Sequence, residues 1–281
     1  MARRPRTSWT TSRATPWPGS RERPSRGRGA EAVTAQGRRV AVVTGAGQGI
    51  GRGIAATLVA RGLRVAVVDR HPDRAQATAA ALGPAAVPVA ADLLDEHAVA
   101  AMAATVLEAL GRWDVLVNNA GALRLGSIGA TTVADWDAVF DGCVKTAWLC
   151  TRAAAGPLAA SGEGRIINVS SVVARGAASE NLIAYTAAKG AVEALTVACA
   201  RELGASGITV NAVCPGSIET PAWDRFPDPD GLRRARAAVA AVGRIGRPEE
   251  IGAAVAYLAS PEAGFVTGQV LVVDGGRTDK L

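Results

Sequence analysis

The run Tyr185-Thr186-Ala187-Ala188-Lys189 sets a phenol and an ammonium four residues apart. On an α-helix that spacing puts both on one face, where they can enter one pocket. A free phenol has a pKa of about 10 and is a poor base near neutrality, but an adjacent cation favours the phenolate. Such a pair can exchange a proton with an alcohol or a carbonyl while hydride moves. An isolated Tyr-x-x-x-Lys is usually a surface tyrosine beside an exposed lysine. Here lysine is scarce, since Lys189 is one of three in 281 residues.

A second constellation lies upstream. A Val-rich run from Val40 to Val43 leads into Thr44-Gly45-Ala46-Gly47-Gln48-Gly49-Ile50-Gly51, followed by a helical pattern. Glycines there allow a tight turn and a close approach to a pyrophosphate, whose charge the free N–H groups and dipole of a helix start would favour. A glycine-rich loop alone is a weak signal. The context strengthens it: Asp69 closes the next strand pattern 24 residues after Gly45, where an acid can accept hydrogen bonds from the adenosine ribose of a dinucleotide. Ile50 and Gly51 stand where a Walker loop needs Lys and a hydroxyl residue, so that reading is excluded.

These residues need a scaffold, and the hydrophobic pattern supplies one. Apolar runs at Val40 to Val43, Val65 to Val68, Ala86 to Ala90, Asp114 to Asn118, Arg165 to Val169, Ile208 to Val213 and Val270 to Val273 alternate with helical stretches. Those stretches lie near 50–61, 73–82, 95–110, 133–160, 183–206 and 248–259. The alternation predicts an α/β fold: one Rossmann-type, doubly wound parallel sheet of seven strands with helices on both faces. Ligands of such sheets bind at the carboxyl ends of the strands.

The ordered set Thr44-Gly45-x-x-x-Gly49-x-Gly51, Asn118-Asn119-Ala120-Gly121, Ser171, Tyr185-x-x-x-Lys189 and Pro215-Gly216 resembles the short-chain dehydrogenase/reductase family over about Arg38 to Thr278. The resemblance implies an NAD(H)-dependent oxidoreductase interconverting a secondary alcohol and a ketone, assembled as a homotetramer or homodimer. It makes Tyr185 the acid/base, Lys189 the group that lowers its pKa and holds the nicotinamide ribose, and Ser171 the hydrogen-bond partner of the reacting oxygen. Ser171 precedes Tyr185 by 14 residues, one more than the family's commonest spacing, which implies a one-residue insertion between them. Ser170 is the lesser candidate, because members with paired serines employ the second.

Further cofactor contacts follow from the same resemblance. Gly45, Gln48, Gly49, Ile50 and Gly51 would take the pyrophosphate, Asp69 the adenosine ribose, and Asp92 the adenine. Asn118, Ala120 and Gly121 would line the adenosine-ribose side, although Asn118 serves equally well as a strand-end stabiliser. Pro215, Gly216, Ile218 and Thr220 would cover the nicotinamide. Asp69, with Gln48 in place of the basic residue of many NADP-preferring members, implies NAD over NADP; Arg70 is the contrary feature. Cys143 departs from the pattern by standing where the family commonly has Asn, a residue that holds a relay water largely through its backbone carbonyl. That departure motivates the alternative of a catalytically weakened binding or assembly protein. Substrate choice falls to loops 122–130, 175–184 and 221–242, with Leu123, Leu125, Leu182, Ile183, Trp223 and Phe226 offering an apolar pocket.

Composition bounds the remaining classes. The hydrophobic fraction of 49% excludes a wholly disordered chain, and no uninterrupted apolar run is long enough to span a bilayer. The formal charge of +6 sits entirely in residues 1 to 37, which carry eight Arg and two Glu among prolines. That segment reads as a disordered basic tail, and 38 to 281 as the catalytic domain. The rest of the chain is neutral, so no nucleic-acid or membrane partner is expected. Four cysteines without a C-x-x-C pair and only two histidines point away from a disulfide framework and a metal site, and towards a reducing, cytoplasmic setting.

Overall fold

The computed structural model describes residues 38–176 and 180–279. The basic tail expected at 1–37 lies outside the described residues, as do 177–179 in the loop for which a one-residue insertion is inferred. In chain order the elements are β1 (Val40–Thr44), α1 (Gly49–Ala60), β2 (Arg64–Asp69), α2 (Pro72–Leu82), β3 (Ala86–Ala90), α3 (Glu96–Leu110), β4 (Val115–Asn118) and α4 (Val133–Phe140). They continue with α5 (Thr146–Ser161), β5 (Arg165–Val169), α6 (Ile183–Leu203), β6 (Thr209–Pro215), α7 (Pro229–Ala238), α8 (Pro248–Ala259) and β7 (Val270–Val273). The seven strands form one parallel sheet in the order β3-β2-β1-β4-β5-β6-β7.

Both faces of this sheet are covered, which is why its central strands are runs of Val, Ile and Ala rather than alternating patterns. Val40, Val42, Ala66, Val68 and Leu116 point to one core, with Met102 and Val106 of α3 and Leu149 and Leu158 of α5. Ala41, Val43, Val65, Val67, Val115 and Val117 point to the other, against Ile54 and Leu58 of α1 and Ile251 and Val255 of α8. Successive residues of one strand thus feed opposite layers. Among the described residues no helix is long and apolar enough to cross a membrane.

Two elements differ from the sequence pattern. The helix expected over 133–160 is interrupted by a π turn at Asp141–Lys145, which separates α4 from α5. The stretch 221–242, read as a loop, contains α7, started by Asp228 whose side chain accepts from the Gly231 N–H at 2.8 Å. None of the residues of α7 is buried, so its sequence carries no core-facing apolar stripe to announce it.

Candidate active site

The strand order reverses its direction of growth between β1 and β4, and the turns that leave these two strands lie side by side. Thr44 Oγ1 donates to the Val117 carbonyl at 3.2 Å and accepts from the N–H groups of Asn119 and Ala120 at 3.0 and 3.1 Å. The Asn119 amide returns the contact, donating to the carbonyls of Thr44 and Gly45 at 2.9 and 3.1 Å. This cross-bracing fixes the glycine turn against 118–121 at the topological switch point, where open α/β sheets hold ligands.

Within the turn, Gly45 and Gly49 adopt φ of +61° and +54°, left-handed values that disfavour any side chain. Gly51 has no such φ, but a Cβ there would fall 2.3 Å from the Gly45 carbonyl oxygen. The α1 helix that follows starts at Gln48 with no side-chain cap and no acid in its first turn, so its leading N–H groups suit an anion. Asp69 is nearly buried at the end of β2 and accepts from the N–H groups of Gly47 and His71, both at 3.0 Å. Asp92, by contrast, is exposed in a turn after β3, where it accepts from the Leu94 N–H at 3.0 Å.

The other half of the site comes from β5 and α6. Lys189 is 4% exposed; its Nζ donates to the Val169 carbonyl at 2.7 Å and lies 5.5 Å from the centroid of the Tyr185 ring. The Ser171 side chain stands beside Tyr185, close enough for its hydroxyl to favour the phenolate. Ser170 takes a different partner, its buried hydroxyl donating to Glu193 Oε1 at 2.9 Å. Burial pushes the Tyr185 phenol above its ordinary range, while the Lys189 ammonium and the neighbouring Ser171 hydroxyl pull it down. Burial prevails, so the phenol keeps its proton near neutral pH.

Gly121 sits between this pair and the π turn: a Cβ on it would stand 3.4 Å from Cys143 Sγ and 3.7 Å from Lys189 Nζ. Cys143 is 2% exposed, and its Sγ lies 3.4 Å from the Ala122 carbonyl oxygen. Pro215 ends β6, and Gly216 N–H donates to the Val273 carbonyl at 2.9 Å. The chain beyond it returns over the glycine turn, with Thr220 Cγ2 3.4 Å from the point a Gly49 Cβ would occupy. Ile218 is buried beneath, and its carbonyl accepts from Trp223 Nε1 at 2.6 Å.

One sequence-derived candidate points elsewhere. Asn118 turns its amide into the interior, donating to Asn168 Oδ1 at 2.9 Å and to Thr151 Oγ1 at 3.2 Å, so its side chain ties β4 to β5 and α5. Leu182 and Ile183 line a cleft of about 590 Å³ with Gly126, Ser127 and Thr186. Sequence reasoning missed Asn119 as a brace and Glu193 altogether. Their signals were adjacency to the Asn118 motif and a place four residues beyond Lys189 on the same helical face.

Comparison with known proteins agrees with this geometry. A family profile described as enoyl-(acyl carrier protein) reductase matches residues 45–278. The chain is 44% identical over 246 residues to the short-chain reductase protein NovJ of Streptomyces niveus, covering 85% of this chain and 93% of the relative. It is 42% identical over 245 residues to cis-4-hydroxycyclohexanecarboxylate dehydrogenase of Sinomonas cyclohexanicum, covering 85% and 96%. Sorbitol dehydrogenase of Cereibacter sphaeroides is 37% identical over 250 residues, covering 85% and 97%. With the parallel sheet and the ordered motifs, these matches place the chain in the short-chain dehydrogenase/reductase family of oxidoreductases.

Proposed function

We propose that this protein interconverts a secondary alcohol and a ketone with NAD(H), using Tyr185 as the group that gives and takes the proton. The observation that carries this reading is the environment of Tyr185, its ring beside the buried Lys189 ammonium that the Val169 carbonyl holds in place, with Ser171 as neighbour and the braced glycine turn nearby. Two of the relatives bear names of dehydrogenases of hydroxyl-bearing compounds, which supports an alcohol as substrate class.

The residues present fit a nicotinamide dinucleotide. Left-handed glycines, the close approach at Gly51 and the uncapped start of α1 suit a pyrophosphate held by Gly45, Gln48, Gly49, Ile50 and Gly51. Asp69 would accept from the adenosine ribose and would repel a 2′-phosphate, which favours NAD over NADP. Asp92 would face adenine, Ala120 and Gly121 the ribose side, and Pro215, Gly216, Ile218 and Thr220 the nicotinamide. Bound there, the nicotinamide supplies the acceptor or donor of hydride.

The proton is the protein's part. In the reducing direction the neutral Tyr185 phenol gives its proton to the carbonyl oxygen, and Lys189 stabilises the phenolate left behind. Ser171 donates to the same oxygen and holds it against Tyr185. In the oxidising direction the phenolate takes the alcohol proton back. The test is a panel of secondary alcohols and ketones assayed with NAD(H) and NADP(H) by nicotinamide absorbance. Turnover with NAD of at least one member is expected. Binding of NAD without turnover of any member would instead favour a weakened binding protein, the reading that Cys143 motivates.

A further inference from the structure

Ser171 lies in a short segment whose two sides are held by one carboxylate. Just before it, Ser170 is 2% exposed and donates through Oγ to Glu193 Oε1 at 2.9 Å. Four residues after it, Arg175 donates through Nε to the same oxygen at 3.2 Å, with its second guanidinium nitrogen 3.0 Å from Glu193 Oε2. Ser171 itself is extended, at φ −163°, and precedes a single 3₁₀ turn over Val172–Arg175. Such short turns have poor internal hydrogen bonding and need anchors from outside.

The anchors come from one stripe of α6. Tyr185, Lys189 and Glu193 are spaced by four residues and share a face. Tyr185 meets Ser171, Lys189 holds the Val169 carbonyl, and Glu193 holds Ser170 and Arg175. Glu193 is the member of this stripe that grips the chain on both sides of Ser171. Its side chain is 15% exposed, so its bonds are only partly screened, and hydrogen bonds to a carboxylate are among the stronger ones.

We propose that Glu193 is a positioning residue for Ser171: it staples the chain before and after Ser171 to α6 and thereby fixes the Ser171 hydroxyl against that of Tyr185. This rests on the roles proposed above for Ser171 and Tyr185. A carboxylate that only stabilised the fold would lower the melting temperature without acting through Ser171.

The experiment is a double-mutant cycle of Glu193→Ala and Ser171→Ala in the alcohol-dependent reduction of NAD, with Tm and the Kd for NAD recorded for each protein. Glu193→Ala should lower kcat by about tenfold or more, the loss a misplaced group brings, with the KM and Kd for NAD unchanged. In the Ser171→Ala background the same substitution should change kcat by less than about twofold. Glu193→Gln keeps an oxygen for Ser170 and should restore most of kcat. Equal losses in the two backgrounds, or an unchanged kcat in Glu193→Ala, overturn the staple while the role of Ser171 stands. Full turnover in Ser171→Ala overturns that role and the staple with it. If Glu193→Ala does not fold, Arg175→Ala, at an exposed position, breaks only the downstream arm. It should cost kcat several-fold with NAD affinity intact, and an unchanged kcat overturns the proposal.

Discussion

The Lys189 ammonium lies beside the Tyr185 ring, 5.5 Å from its centroid, and is fixed there by a 2.7 Å hydrogen bond to the Val169 carbonyl. The cation is therefore held by the backbone of β5, the strand that leads into Ser171. One strand end sets the height of the ammonium and of the serine hydroxyl together.

That relationship sets a pH dependence. Burial holds the Tyr185 phenol above its usual range, so ketone reduction, which needs the proton, should be constant through neutrality and fall at alkaline pH. Alcohol oxidation, which needs the phenolate, should rise over the same range. Lys189→Met removes the charge that pulls the phenol down and should move both midpoints to higher pH, with lower kcat. Initial rates from neutral to alkaline pH in both directions check this. A midpoint unmoved by Lys189→Met would show that the ammonium does not act on the phenol.

Asp69 tests cofactor choice. Both of its oxygens already accept backbone N–H groups, from Gly47 and His71, so the carboxylate is rigidly aimed. Asp69→Ala should narrow the preference for NAD over NADP by about tenfold, the worth of one hydrogen bond to a charged group. Arg70, bonded through Nε to His71 Nε2 at 3.1 Å, would then face a 2′-phosphate without the opposing acid. Ratios of kcat/KM for the two cofactors are the measurement, and a wild-type preference for NADP would defeat the assignment.

Cys143 lies at the π turn, where it packs near Gly121 and Lys189 through a small apolar side chain. Its backbone is what the family position employs, so Cys143→Ala should leave kcat within about threefold, well under the ~1.4 kcal/mol that a tenfold change represents. Abolished turnover with intact fold and NAD affinity would make the thiol part of the chemistry.

How much of this could be read beforehand follows from the reach of each interaction. Strands print their own sequence as short apolar runs: β3, β5 and β7 begin and end where those runs do, although of the three only β5 is buried along its whole length and β3 and β7 are the sheet's edges. The Tyr185–Lys189 pair was legible because one helix carries both. The π turn was not, since one extra residue in a turn leaves the apolar pattern of 133–160 nearly unchanged. Nor was α7, which has no fully buried residue. Asn118 could be read as a ligand or as a strand-end brace, because its partners Thr151 and Asn168 lie 33 and 50 residues away. Pairings of that range, like Ser170 with Glu193, are made by the tertiary fold and leave no local trace.

The central claim is that the Tyr185 hydroxyl transfers the proton, and Tyr185→Phe removes that oxygen alone. Its kcat should be compared with that of the unaltered protein in alcohol-dependent reduction of NAD, using the best alcohol from the panel. The account predicts a loss of at least about 10²-fold, typical of a general acid/base, with Tm and the Kd for NAD unchanged. Near-full kcat in Tyr185→Phe would contradict it.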